Sequence, residues 1–233
     1  YLHYSKIHTG IMNEVLKVYN NSSKEFFDNR TKNEQRYDTL FKNAEIYLQS
    51  ILDEINNLGL EKNSLILVMS DHGISIGEKF GERAYGAFCY DYTLRTFTYF
   101  LSEEFISREI TQQIRTVDFM PSILDYLKIT FDDNYEKPDG VSFIPLIHGT
   151  SMPEQIAYSE TGNPLDKNEP PKEPNTKSVR TSKWKLISNQ YDGSRELYDL
   201  ELDPNEEKNL FGKGEKMESI LQEKLHKLEK VSS

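Results

Sequence analysis

Ser64-Leu65-Ile66-Leu67-Val68-Met69-Ser70-Asp71-His72-Gly73 is the stretch whose reading decides the fold. Its first half is an unbroken apolar run of β-favouring residues, too short for a helix core and bounded by polar turn residues. It reads as a buried central strand. At its end stand a carboxylate, an imidazole and a glycine in succession. Open α/β sheets bind their ligands beyond the carboxyl ends of such strands. Asp71 and His72 together can coordinate a divalent cation, and Gly73 lets the backbone turn sharply away. For the tripeptide by itself, a polar turn is the plain alternative.

Upstream, Thr31-Lys32-Asn33-Glu34 has the form of a capping box. Behind it Tyr37, Leu40, Phe41, Ala44, Tyr47, Leu48, Ile51, Ile55 and Leu58 recur at helical spacing, and Gly59 is a natural stop. The pattern predicts a long amphipathic helix packed on one face of the sheet. A helix followed by a buried strand is half of a parallel crossover unit. Residues 11–30 are polar and Asn-rich, and read as surface loop with a short helix. Asn20-Asn21-Ser22-Ser23 and Asn29-Arg30-Thr31 contain glycosylation acceptor patterns, meaningful only in an exported protein. His3 is placed on a strand.

Downstream, residues 77–86 are punctuated by glycines and read as a flexible, site-lining loop. Arg95 to Leu101 is a second strand. Thr116-Val117-Asp118 leads into a helix through Leu127, with Asp118 as its cap and Pro121 in the first turn. Residues 132–138 are a polar loop, and 138–149 an extended connector. Strands follow at 156–161, 178–190 and 196–200. Asn163 to Asn175, heavy in Pro, Lys and Glu, is an exposed loop between them. A terminal helix over 215–231 carries Met217, Ile220, Leu221, Leu225 and Leu228 on one face. The fold class is thus α/β, a sheet with flanking helices, followed by a small antiparallel sheet with a packing helix. The boundary falls near Gly149, giving 1–149 as an α/β domain and 150–233 as a small C-terminal α+β subdomain.

Composition bounds the function. The 233 residues suit one large domain or one medium and one small; 36% are hydrophobic and 28% charged, as in a globular protein. The net charge of −10 argues against broad binding of nucleic acid or anionic membrane. No apolar run approaches membrane-spanning length. The one cysteine, Cys89, excludes an internal disulfide and reads as a small buried hydrophobe. These features lead us to expect a soluble protein, cytoplasmic in preference to exported. The chain starts at Tyr1 rather than at Met, so a fragment of a longer polypeptide is expected.

Several separated pieces carry a resemblance. They are Ser70 to Gly73; Gly77-Glu78 with Tyr90-Asp91 to Thr96; Thr116 to Leu124; Asp139 to Gly149; Ser178 to Thr181 with Trp184 to Ile187; and Glu196 to Leu200 with Asp203-Pro204. In this order they resemble the carboxyl-terminal half of the sulfatase family, within the alkaline-phosphatase-like superfamily, over most of the chain from about Leu40 onward.

The resemblance implies a metal-dependent hydrolase of a small anionic ester, with Asp71 and His72 as metal ligands. It implies calcium as the metal, with magnesium, manganese or zinc open. Ile7-His8-Thr9-Gly10 is similar to the family's His-x-Pro turn, with Gly10 in place of proline; His8 is then a candidate proton donor to the leaving oxygen. Where many sulfatases place a lysine or histidine that contacts the sulfate, this chain has Tyr85 and Gly86. Lys79 or Arg83 is then expected to supply the charge, or Tyr85 a hydrogen bond. The family's nucleophile lies in a Cys/Ser-x-Pro-x-Arg motif that this sequence lacks, so residues 1–233 alone are expected to be inactive. The resemblance leaves three readings: a sulfate-ester hydrolase, a phosphodiesterase or phosphonate monoester hydrolase of the same superfamily, and a non-catalytic homologue or binding module.

Overall fold

The computed structural model describes all residues except 20–23, 131–133, 135, 164–171 and 230–233. The glycosylation patterns at Asn20 and Asn21, part of the 132–138 loop and most of the 163–175 loop therefore lie outside the described residues. The chain forms two compact units, Tyr1–Glu103 with Thr161–Glu173, and Glu104–Glu160 with Pro174–Ser233.

In the first unit, residues 1–5 carry no regular structure, so His3 is not on a strand. Helix α1 (Lys6–Gly10) runs directly into a π-helical stretch, Ile11–Leu16. Helices α2 (Lys24–Asp28) and α3 (Arg30–Asn57) follow. The 11–30 stretch, expected as surface loop, instead supplies the core. Ile11, Val15, Leu16, Tyr19 and Phe26 are buried together, packed by Tyr37 and Leu40 of α3. Full burial of a side chain such as Phe26 contributes about 1.5–3 kcal/mol. Ile11, Val15 and Tyr19 recur four residues apart, a helical spacing masked by the Asn, Lys and Ser residues around them. Gly10 permits the packing, since a Cβ there would stand 2.3 Å from the Leu40 side chain.

Helix α3 covers the expected stretch with two differences. It begins at Arg30 behind Asn29, so Thr31 lies inside it and the capping box does not form. The preceding helix is the reason: the Asn29 N–H already donates to the Glu25 carbonyl, 3.2 Å, and leaves no extended residue before Thr31. The apolar stripe is only half-buried, and Leu58 is exposed. The wholly buried residue is Asn33, which accepts the Tyr19 hydroxyl at 2.7 Å and donates to the carbonyls of Phe26 and Ile76.

Strand β1 (Ile66–Met69) pairs antiparallel with β2 (Thr98–Leu101), Ile66 opposite Leu101 and Met69 opposite Thr98. Short helix α4 (Asp91–Leu94) lies between them. Among the described residues β1 pairs only with β2, so it is half-buried rather than central, and its neighbour is not the parallel strand of a crossover.

The second unit holds α5 (Phe119–Tyr126), α6 (Ile144–Ile147) and a four-stranded sheet of β3 (Ala157–Thr161), β4 (Thr176–Arg180), β5 (Trp184–Asn189) and β6 (Arg195–Asp199), in that order. Val179, Leu186 and Leu197 are cross-strand partners, and all three pack on Leu221 and Leu225 of α7 (Lys216–Glu229). Ile220, expected on that face, is exposed. Asp118 precedes α5 but its carboxylate does not cap it. It accepts the backbone N–H of Arg115 and of Val141, each at 2.9 Å, and pairs with the Arg115 guanidinium at 2.6 Å. The role is structural, as expected: the Arg115 contacts form a capping box on the 3-10 turn Thr116–Asp118 that leads into α5, and the Val141 contact pins the 138–149 connector.

Candidate functional site

At the carboxyl end of β1 the Ser70 N–H donates to the Phe97 carbonyl and the Phe97 N–H to Ser70 Oγ, each 3.2 Å. The sheet pairing ends there and Asp71-His72-Gly73 leaves it. The Gly73 N–H donates to the Thr93 carbonyl at 2.8 Å. A Cβ at Gly73 would stand 2.2 Å from the Tyr92 carbonyl oxygen, so only glycine allows this close approach.

Two acceptors face each other here. Asp71 Oδ1 takes the His72 N–H at 2.9 Å, and Oδ2 lies 3.7 Å from His72 Nε2. His72 Nδ1 is 2.7 Å from the Gly73 carbonyl. A carbonyl cannot donate, so Nδ1 carries the hydrogen and Nε2 of the neutral ring keeps its lone pair. Ligand–metal bonds of about 2.0–2.5 Å put two donors of one cation roughly this far apart. The Asp71 side chain is 75% exposed, which leaves the pair accessible. Among the described residues no group of three or more His, Cys, Asp and Glu side chains stands ready to hold a metal. These two residues fit a divalent cation as part of a ligand set.

The fold brings two further candidates to this place. The Tyr85 ring centroid is 4.3 Å from that of His72 and 6.2 Å from that of His8 on α1. Residues 8, 72 and 85 thus form one cluster of two imidazoles and a phenol. Lys79 points elsewhere within the loop, its Nζ 4.8 Å from the Tyr90 ring centroid. Arg83 turns to the core: Nη2 donates to the Leu16 carbonyl at 2.9 Å, and the guanidinium lies over Phe26.

Glu82 escaped the sequence reading because an acidic residue among loop glycines looks solvated. It is 1% exposed. Oε1 accepts the N–H groups of Ala87 and Phe88 at 2.8 and 2.9 Å. Burial pushes its carboxyl above the ordinary range, opposed by those hydrogen bonds and by Tyr92. Burial, then the nearby Glu82 charge, pushes the Tyr92 phenol far up.

The comparisons with known proteins agree on a family. The profile of the sulfatase family matches residues 1–129, and that of N-sulphoglucosamine sulphohydrolase, C-terminal, matches residues 87–233. No curated protein matches the chain by sequence. Among solved structures, one in complex with its substrate D-glucosamine-2-N,6-O-disulfate is 23% identical, with a TM-score of 0.66 over 84% of this chain and 40% of that one. A crystal structure of a putative sulfatase from Bacteroides thetaiotaomicron is 20% identical, with a TM-score of 0.69 over 87% and 43%. A phosphonate monoester hydrolase from Silicibacter pomeroyi is 19% identical, with a TM-score of 0.63 over 84% and 39%. The chain therefore spans about four-tenths of the length of these structures, and at such identities the likeness is one of fold. With both profiles each covering more than half of the chain, this protein belongs to the sulfatase family and shares its alkaline-phosphatase-like fold.

Proposed function

We propose that the chain is part of a metal-dependent hydrolase of sulfate esters, in which Asp71 and His72 supply two ligands of a divalent cation, calcium by preference. The observation that carries this reading is the 3.7 Å approach of Asp71 Oδ2 and His72 Nε2 at the end of β1, in a chain of the sulfatase family. The cation would polarise the ester oxygens and offset charge that develops on them. The Gly73 carbonyl fixes the His72 tautomer and so the direction of its lone pair. His8 protonates the leaving oxygen, and the Tyr85 hydroxyl donates to the anionic ester group between the two imidazoles. Lys79 adds positive charge to the loop that an acidic chain must offer an anion. The nucleophile and the remaining ligands come from polypeptide outside residues 1–233, so this portion alone is inactive.

The substrate is a small anionic ester. A sulfated amino sugar is the first to assay, because a structure of similar fold binds one. A phosphonate or phosphate ester is the second, because another structure of similar fold is a phosphonate monoester hydrolase. The test assays the full natural polypeptide against sulfated glucosamine, aryl sulfate and phosphonate monoester, with calcium, magnesium, manganese or zinc restored after chelation. Metal-dependent turnover of the sulfate esters is the expected result. Turnover of the phosphonate alone selects the second reading, and no turnover of any ester by metal-loaded protein rejects both.

A further inference from the structure

We infer that Glu82 is the positioning residue for Tyr85: it closes the loop that holds the phenol ring against His72. The inference rests on the functional reading for its importance, but not for its geometry. The loop starts from a β-bridge between Ser75 and Ala84, where the Ser75 N–H donates to the Ala84 carbonyl at 2.6 Å. Ser75 Oγ also donates to the Glu82 carbonyl at 3.2 Å. Beyond Tyr85 the chain returns to the Glu82 carboxylate, whose Oε1 takes the N–H groups of Ala87 and Phe88. A single buried oxygen thereby fixes the far side of a loop whose near side is tied to Ser75. Tyr85 is the exposed tip between these anchors.

The backbone on either side of Tyr85 needs such anchoring. Ala84 has φ of 84° and Gly86 of 91°. Glycine tolerates that region, but alanine is strained there and persists only where the surroundings over-determine it. Ala84 is itself buried in the core formed by Ile11, Val15 and Phe26. The Thr161 hydroxyl donates to the Gly86 carbonyl at 2.6 Å, a third tie on the same turn. Loss of the Glu82 acceptor leaves the two part-buried N–H groups of Ala87 and Phe88 without it and releases the turn that aims Tyr85. An aromatic donor misplaced by about 1 Å can cost a site roughly a hundredfold in rate.

Two variants in the full natural polypeptide separate positioning from plain stability. Glu82→Gln keeps an acceptor oxygen; Glu82→Leu fills the space and accepts nothing. With tyrosine and histidine selectively labelled, cross-relaxation between the Tyr85 and His72 rings should persist in Glu82→Gln and fall at least fivefold in Glu82→Leu. Cross-relaxation retained in Glu82→Leu, or lost in Glu82→Gln, overturns the inference. So does a Glu82→Leu protein that fails to fold beside a native Glu82→Gln, since the carboxylate then serves the whole unit. On a turned-over ester, Glu82→Leu should lower kcat/KM about 10- to 100-fold in the native background and have no further effect in Tyr85→Ala. Additive losses overturn it too. Absence of all ester turnover rejects the functional reading, and the ring contact still decides this one.

Discussion

Lys185 Nζ lies 2.8 Å from Glu206 Oε1, with 0% and 2% of the two side chains exposed. Lys185 is on β5, between Arg180 of β4 and Tyr198 of β6, and Glu206 follows β6 in a turn where its φ is +56°. A charge taken wholly out of water is tolerated only with a partner, so each residue here explains the other.

Removing one partner therefore costs far more than removing both. Glu206→Gln should destabilise the second unit by about 3–5 kcal/mol, and Lys185→Met by a similar amount. The double variant should recover most of the loss. Chemical denaturation of the three variants checks this; additive losses would show that the pair is not coupled.

Asp71 is predicted to matter to metal and chemistry, and little to folding. Its side chain is mostly exposed and, among the described residues, accepts only the neighbouring His72 N–H, alongside the Nε2 approach. Asp71→Ala should leave the thermal midpoint without added metal nearly unchanged while bound metal falls and hydrolysis is abolished. Elemental analysis beside a melting curve provides the check, and undiminished metal content would remove Asp71 from the ligand set.

His8 stands at the edge of the cluster, its ring centroid 6.2 Å from that of Tyr85, against 4.3 Å for His72. His8→Ala should lower kcat about 10²–10⁴-fold, the usual contribution of a positioned acid, with metal content unchanged. Full activity of the variant makes His8 an ordinary helix residue. The loss should be smaller on esters with good leaving groups, which need no proton.

Glu82 gives stability a pH dependence with a definite sign. Its folded carboxyl is raised above the ordinary value of 4.5, chiefly by burial, with Glu78 adding to the rise and Phe88, Tyr92 and Ala87 opposing it. Between the ordinary and the raised value the folded chain holds a proton that the unfolded chain has lost. Its contribution to stability therefore falls as pH rises through that window and stays low above it. Glu82→Gln should flatten this slope and equal or exceed the native stability at neutral pH. Urea titrations from acidic to neutral pH would measure it; a slope unchanged by the substitution would assign the dependence to another group.

The sequence by itself determined the local elements and their order. Helix α3, the strands β1, β2, β3 and β6, the terminal helix and the Asp71-His72-Gly73 turn are set by short-range periodicity and by residues adjacent in the chain, whereas the 178–190 stretch, expected as one strand, turns at residues 181–183 and forms the antiparallel pair β4 and β5. The same adjacency made the Asp71–His72 pair legible, since neighbours at a strand's end meet wherever the chain goes next. Only the tertiary structure decided the rest. It made β1 a half-buried strand with an antiparallel partner, and turned apolar residues of the Asn-rich 11–30 stretch into core by packing them against α3. It also brought His8 and Tyr85 to His72 across long stretches of chain. The buried charges of Glu82, Lys185 and Glu206 were hidden for the same reason. Whether a carboxylate or ammonium is solvated depends on partners distant in sequence, and periodicity carries no information about those.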